Sequence, residues 1–273
     1  MKFVKMHGLG NDFVFLEDKN GADKDFSQLA IKMCAPHTGI GADGIIVIVP
    51  SDKADVRMRI INADGSEAEM CGNGIRCAAK FLYDTGLVKK ADLAIDTLAG
   101  VKNIHLDVEG DQAVSVTVDM GEPVFEPARI PVAAESNRIR VSLGGREVSF
   151  FCVSMGNPHA VTFDLFPDEE DFRRFGREME CHPIFPAKAN IEFCRVEDRG
   201  HIAVKVWERG DGPTLACGTG SCAVLAAAAS LNLADRSADI RLPGGTLHDH
   251  WAEDGHIYMR GPAAAVANGQ FLD

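Results

Sequence analysis

Two cysteines open one motif twice. Cys71-Gly72-Asn73-Gly74 returns as Cys217-Gly218-Thr219-Gly220, at an offset of 146 residues (217 − 71). The same offset carries Gly10-Asn11 onto Gly156-Asn157 and Asn62 onto Glu208. A duplicated fold that keeps one cysteine in each half leads us to expect two thiols facing each other across a cleft. A single base tends to return a proton to the face it came from. Two opposed groups, one thiolate and one thiol, invert a centre in one passage.

A free thiol has a pKa of ~8.5, so half-ionisation near neutrality needs a shift of about 1.5 units, roughly 2 kcal/mol. A helix N-terminus contributes typically about 0.3–1 kcal/mol, and up to ~2 where buried. A helix opening at each cysteine would supply much of that shift. His159, in Gly156-Asn157-Pro158-His159, is the candidate for the rest. Gly72-Asn73-Gly74 and Gly218-Thr219-Gly220 also leave backbone N–H groups open at the helix starts, which suits a carboxylate. Neither motif has the Gly-Lys-Ser/Thr ending of a nucleotide-binding loop. Arg209 can grip a second carboxylate bidentately, and Glu208 can hold an ammonium or tune Cys217. Asn11, Asn62, Asn157 and Asn190 sit in loops at strand ends, where amides can both donate and accept. Singly each reads as a turn residue; around two cysteines they read as a recognition shell for an amino acid. The other cysteines (Cys34, Cys77, Cys152, Cys181, Cys194 and Cys222) lack this context and read as packing.

The elements that must position these groups repeat in the same order. Strands are expected at Lys2 to Leu16 (interrupted by Gly8-Leu9-Gly10), Gly44 to Val49 and Asp55 to Ile61, with a helix over Asp25 to Cys34. After the helix at Cys71, strands are expected at Leu93 to Ile95 and in a hairpin around Glu109-Gly110-Asp111. The second half offers Val148 to Val153, Ala160 to Phe163, a helix over Asp168 to Met179, Ile191 to Val196, His201 to Trp207, the helix at Cys217, Ile240 to Leu242 and a final hairpin around Glu253-Asp254-Gly255. Ala223 to Ala229 is apolar on every side, which implies a buried helix with strands wrapped around it. The tail, Gly261 to Asp273, lies beyond the second repeat and is expected to return to the first. The domains are therefore drawn as 1–118 plus 262–273, carrying Cys71, and 119–261, carrying Cys217.

With 273 residues, 46% of them apolar, the chain can bury one large core or two modest ones. A net charge of −12 argues against nucleic acid or an anionic membrane as partner. The first residues contain no signal-peptide apolar stretch, and no apolar run has transmembrane length. Eight cysteines without a Cys-x-x-Cys pair read as reduced thiols, and Cys181-His182 with His248-Asp249-His250 makes no convincing zinc set.

The motifs resemble those of the diaminopimelate epimerase family over nearly the whole chain. Lys5-Met6-His7-Gly8-Leu9-Gly10-Asn11-Asp12-Phe13 is similar to the family's N-terminal signature. Asn62-Ala63-Asp64-Gly65-Ser66 through Cys71-Gly72-Asn73-Gly74-Ile75-Arg76-Cys77 resembles its first cysteine motif, and Trp207-Glu208-Arg209-Gly210 through Cys217-Gly218-Thr219-Gly220 its second. Met155-Gly156-Asn157-Pro158-His159 and Ala189-Asn190-Ile191-Glu192-Phe193 resemble two substrate loops. The resemblance implies an α/β (α+β) fold of two pseudo-symmetric domains. Each would be a mostly antiparallel sheet curled around a central helix, with the active site in the interdomain cleft. It implies cofactor-independent, two-base interconversion of LL- and meso-2,6-diaminopimelate, on the route to lysine and peptidoglycan, by a cytoplasmic homodimer without a metal. Cys71 and Cys217 would be the catalytic pair, with His159 and Glu208 tuning them. Asn11, Asn62, Asn157, Asn190, Glu208 and Arg209 would bind substrate, and the backbone of Gly72, Asn73, Gly218 and Thr219 would hold the reacting carboxylate. Closure of the two domains is the expected way to dry the site. Gly44 stands where some members carry a glutamine, and Pro213 where many carry an acid.

Three other readings compete. A proline or hydroxyproline racemase-like enzyme shares the two-cysteine logic, but Arg209 and the asparagines favour a substrate with a second charged end. A thiol redox protein would cycle Cys71 and Cys217 through a disulfide, and usually adds a nearby resolving cysteine. A plain binding module would not need both cysteines.

Overall fold

Gly44–Val49, sequence GIIVIV, is buried along its whole length. A β-branched run covered on both faces makes a central strand, and the computed structural model, which describes residues 1–21 and 23–272, places it so. The chain divides into two compact units, Met1–Asp119 with Arg260–Asp273, and Met120–Met259. The first comprises β1 (Lys2–Gly8), β2 (Asn11–Glu17), α1 (Ser27–Cys34), β3 (Gly44–Val49), β4 (Val56–Asn62), β5 (Glu67–Ala68), α2 (Gly72–Asp84), β6 (Asp92–Thr97), β7 (Gly100–Glu109) and β8 (Gln112–Asp119). The second comprises β9 (Arg138–Leu143), β10 (Arg146–Ser154), β11 (Pro158–Thr162), α3 (Glu169–Glu180), β12 (Asn190–Asp198), β13 (His201–Glu208), β14 (Gly212–Pro213), α4 (Gly218–Ser230), β15 (Ser237–Leu242), β16 (Gly245–Trp251) and β17 (Ile257–Gly261), the division falling within β17. Last comes β18 (Ala264–Gln270), which pairs with β1 in the first unit. Asp273, the end of the expected tail, lies outside the described residues.

Both units use one pairing scheme. In the first, β18–β1 and β1–β2 are antiparallel, β2–β3 parallel, β3–β4 antiparallel, β4–β6 parallel and β6–β7 antiparallel. In the second, β9–β10 and β10–β11 are antiparallel, β11–β12 parallel, β12–β13 antiparallel, β13–β15 parallel and β15–β16 antiparallel. For two of these pairs the registers agree residue by residue at the 146-residue offset: Phe13 faces Gly44 as His159 faces Asn190, and Ile45 faces Ile61 as Ile191 faces Trp207. Helices α2 and α4 also span the same positions at that offset.

Alternation along each strand sorts side chains to the two faces of its sheet. In the first unit Ile45, Val47 and Val49 pack with Ala30 and Met33 of α1, while Phe15 meets Phe81 of α2 with ring centroids 5.3 Å apart. In the second, Ile191 and Phe193 pack with Phe172, Phe175 and Met179 of α3. Residues between these, such as Ile46 and Glu192, point to the side of α2 or α4. The α4 residues Ala223 through Ala228 are all fully buried.

Three expectations are corrected. Helix α1 begins at Ser27 rather than Asp25, because the Asp25 carboxylate accepts the Ser27 N–H at 2.8 Å and turns the chain before the helix. Strand β9 was not expected, although Ile139, Val141 and Leu143 alternate inward. Cys181, expected among the packing cysteines, is exposed at the C-terminus of α3. Among the described residues no group of three His, Cys, Asp or Glu is placed to hold a metal ion, and no helix is long and apolar enough to cross a membrane.

Candidate functional site

Each cysteine is the N-cap of a helix. Cys71 takes an extended backbone (φ −139°, ψ 120°), as a cap residue must, and its Sγ accepts the Gly74 N–H at 3.4 Å. Cys217 does the same (φ −124°, ψ 113°), with the Gly220 N–H at 3.3 Å. The first regular helical bonds run from Ile75 N–H to Cys71 O at 2.9 Å and from Ser221 N–H to Cys217 O at 3.0 Å. A helix start points its first N–H groups out of the turn. Those of Gly72 and Asn73 in α2, and of Gly218 and Thr219 in α4, are therefore aimed at whatever lies beside each thiol.

In the first unit Cys71 is half-buried, and its thiol donates to Asn11 Oδ1 at 3.4 Å. Asn11 is placed by the tight β1–β2 turn, where Leu9 and Gly10 have positive φ (56° and 90°). Its Nδ2 donates to Asp43 Oδ2 at 2.7 Å, and its Oδ1 also accepts from Asn73 Nδ2 at 3.2 Å. Below them Arg76, fully buried, donates to Gly72 O and Asn73 Oδ1, both at 2.9 Å. Asn62 holds the following turn through Nδ2 to Ser66 Oγ at 3.0 Å. Gly44 lies against Asn62, where an added Cβ would meet Ile61 O at 2.7 Å. That close approach leaves no room for a larger residue.

In the second unit Cys217 is buried, with Thr219 Oγ1 at 3.5 Å from its sulfur. Glu208 accepts from Thr214 Oγ1 at 2.5 Å and from the Cys217 thiol. Burial pushes the Glu208 carboxyl up, against the pull of those two hydrogen bonds. Burial, then the Glu208 and Glu192 carboxyls, push the Cys217 thiol well up. Removal from water and two nearby carboxyls thus act in the opposite direction to the helix start and His159 expected from the sequence. His159 is fully buried, and its ring is held by two side chains. Its Nδ1 pairs with Glu192 Oε1 at 2.6 Å and its Nε2 with Asn157 Oδ1 at 2.9 Å.

Asn190 is also buried. Its Nδ2 donates to Pro158 O and its Oδ1 accepts the Arg209 N–H, both at 2.9 Å, so it clamps two loops together. Arg209 is exposed and donates through Nη1 to Ala187 O at 3.2 Å. Glu180, at the end of α3, completes the support: it accepts from Trp207 Nε1 at 2.8 Å and from the Gly210 N–H at 3.1 Å. The structure thus gathers Cys71, Asn11, Gly72 and Asn73 at one helix start. It gathers Cys217, Glu208, Gly218 and Thr219 at the other, with His159 and Asn157 joined to them through Glu192. Asn62, Asn190 and Arg209 flank these groups. Arg76, Glu180 and Glu192 were not singled out from the sequence. The signal for Arg76 and Glu192 is a charged residue inside an apolar helix or strand.

The chain matches the family model described as diaminopimelate epimerase over residues 3–126 and 151–266. It is 49% identical to a diaminopimelate epimerase of Desulfitobacterium hafniense over 279 aligned residues, covering 100% of this chain and 99% of that one. It is 46% identical to one of Acetivibrio thermocellus, covering 99% and 98%. Among solved structures, a hydroxyproline epimerase of Agrobacterium vitis shares the fold, with a TM-score of 0.71 at 17% identity, covering 100% of this chain and 91% of that one. A probable proline racemase of Agrobacterium radiobacter has the same TM-score, 0.71, at 14% identity, covering 98% and 92%. With matching cysteine motifs at both helix starts and full-length identity near one half, the chain belongs to the diaminopimelate epimerase family.

Proposed function

We propose that this protein interconverts LL- and meso-2,6-diaminopimelate by a two-base mechanism, with Cys71 and Cys217 as the acid–base groups. The observation that carries the reading is the pair of cysteine N-caps on α2 and α4, equivalent at an offset of 146 residues and each followed by open helix N–H groups. One cysteine, as thiolate, takes the α-proton; the other, as thiol, delivers one to the opposite face. The roles exchange with direction, so protons balance over one turnover and no electron is transferred.

The α-hydrogen is a poor acid, so the developing charge must be met by fixed dipoles. The N–H groups of Gly72, Asn73, Gly218 and Thr219 serve that purpose on the reacting carboxylate. Asn11, Asn62, Asn157 and Asn190 shape the recognition shell, Glu208 takes an ammonium, and Arg209 takes the distal carboxylate. The reaction needs no cofactor in this scheme. By family likeness we place it on the route to lysine and peptidoglycan precursors, in a cytoplasmic homodimer.

The test is proton exchange by NMR with LL-diaminopimelate in deuterated water. Deuterium is expected at the α-carbon together with the meso isomer, and Cys71→Ser and Cys217→Ser should each lower turnover at least about a thousandfold, the loss of an essential proton-transfer group. A wild-type protein that exchanges proline-type substrates but not diaminopimelate would overturn the substrate assignment.

A further inference from the structure

Three of the positions at which the two repeats differ bear on the charge around their cysteines. The 146-residue offset takes Phe13 to His159, Ile46 to Glu192 and Asn62 to Glu208. The backbone does not differ there. Phe15 pairs with Ile46 as Val161 pairs with Glu192, and Ile46 faces Ile60 as Glu192 faces Val206. Under α2, an added Cβ on Gly74 would meet Ile46 Cδ1 at 2.9 Å and Phe13 Cε2 at 3.6 Å. Under α4, a Cβ on Gly220 would meet Glu192 Oε1 at 2.9 Å and Cys217 Sγ at 3.2 Å. The Glu192 carboxyl therefore lies against the first helical turn at the place its counterpart fills with a methyl group, and it and the thiol border the same point beside Gly220.

That exchange is expensive for the fold. The first repeat builds the same turn with an apolar pair, whereas His159 and Glu192 are both fully buried. A buried ionisable pair seldom repays its desolvation. Moreover, Glu192 Oε2 is without a hydrogen-bond partner among the described residues. The pair is therefore better explained by what it does to Cys217 than by stability.

We propose that the buried Glu192–His159 pair is what makes the two cysteines unequal, with Glu192 a positioning residue that keeps the proton on Cys217. The groups facing Cys217 are Glu208 from β13 and Glu192 from β12. His159 from β11 faces Glu192, and Asp211, in the turn after β13, acts on Glu208. Burial pushes the Glu192 carboxyl up, and His159 beside it pulls it back toward the charged form; carboxylate charge there opposes a thiolate on Cys217. Around Cys71 the corresponding positions, Phe13, Ile46 and Asn62, do not ionise. This assignment rests on the two-cysteine reading above and adds to it which thiol is the acid at rest.

The test reads thiol ionisation without substrate. Carbamidomethylation by iodoacetamide is followed by mass spectrometry at the Cys217 and Cys71 peptides, between about pH 7 and pH 10. The wild type is compared with Glu192→Gln and with the double variant His159→Phe/Glu192→Ile, which copies the pair of the first repeat. Both variants should label Cys217 about tenfold faster at a given pH, equivalent to a shift of about one unit, with Cys71 unchanged. An unchanged Cys217 profile, or an equal rise at both cysteines, overturns the proposal. So does failure of both variants to fold, since the pair would then be a requirement of the fold. Diaminopimelate exchange in the same samples is read separately. Its absence from the wild type would remove the substrate assignment while leaving the labelling result to stand.

Discussion

Cysteine takes two parts in this chain, and position separates them: Cys71 and Cys217 cap helices α2 and α4, whereas Cys34, Cys77 and Cys152 are buried away from any helix start. Burial pushes the Cys77 and Cys152 thiols up to about 12 and Cys34 up to about 11, from 9.0. In the unfolded chain these groups ionise from about pH 9, whereas the folded chain holds their protons. Their contribution to stability is therefore whole below pH 9 and is lost as pH rises toward 12, at about 1.4 kcal/mol per pH unit for each thiol. Cys152→Ala should flatten the fall of unfolding free energy between about pH 9 and pH 11 by that slope, whatever its effect at pH 7. Equal slopes in urea titrations of variant and wild type would refute this. The packing role of Cys77 and Cys152 was legible because neither stands at a glycine-rich turn. Glu192 and Arg76 were not legible in the same way. A charged residue reads by default as exposed, and only the assembled strands and helix show that these two are enclosed.

At the scale of elements, α3 shows how a single missing side chain fixes a contact. A Cβ on Gly176 would lie 2.6–2.7 Å from atoms of the Trp207 ring, and Trp207 precedes Glu208 at the end of β13. On an open helix face, Gly→Ala gains up to about 1 kcal/mol in propensity. Here overpacking, typically about 1–3 kcal/mol, outweighs it. Gly176→Ala should lower stability by about 1–2 kcal/mol on balance, displace Trp207 from Glu180 and reduce proton exchange severalfold. Urea unfolding read by tryptophan fluorescence checks it, and a variant as stable as wild type would show that the ring moves aside freely. The helices themselves were legible: α3 from its amphipathic spacing, α4 from its apolar run, α2 from the repeated motif. Strand β18 shows why others are harder. Its sequence, AAVANGQ, is mostly exposed small residues and glycine, so its strand state comes from pairing with β1 rather than from its own composition.

The whole molecule is a duplication whose first unit is completed by the end of the chain. Strand β18 pairs with β1 as β9 pairs with β10, so the two units solve the same edge with segments from different places in the sequence. The repeat motifs and their order made this duplication readable; the divergence between the halves at Phe13/His159 and Ile46/Glu192 carries the chemistry that the repeat alone conceals. The returning segment reaches the functional residues as well as the sheet. Phe271 N–H donates to Met1 O at 2.7 Å, and Phe271 packs on the core beneath α1. Arg76, which holds Gly72 and Asn73 at the start of α2, donates through Nε to Pro262 O at 3.3 Å. A chain ending at Gly261 loses all of these together with the β18 ladder. At about 1 kcal/mol for each of several backbone hydrogen bonds, the first unit should lose on the order of 5 kcal/mol. Hydrogen exchange should then show β1 and the start of α2 opening, while residues of the second unit keep their protection. Cys71 labelling should rise and Cys217 labelling should not. Equal loss of protection in both units would mean instead that they unfold as one, and that the returning strand supports the second unit as much as the first.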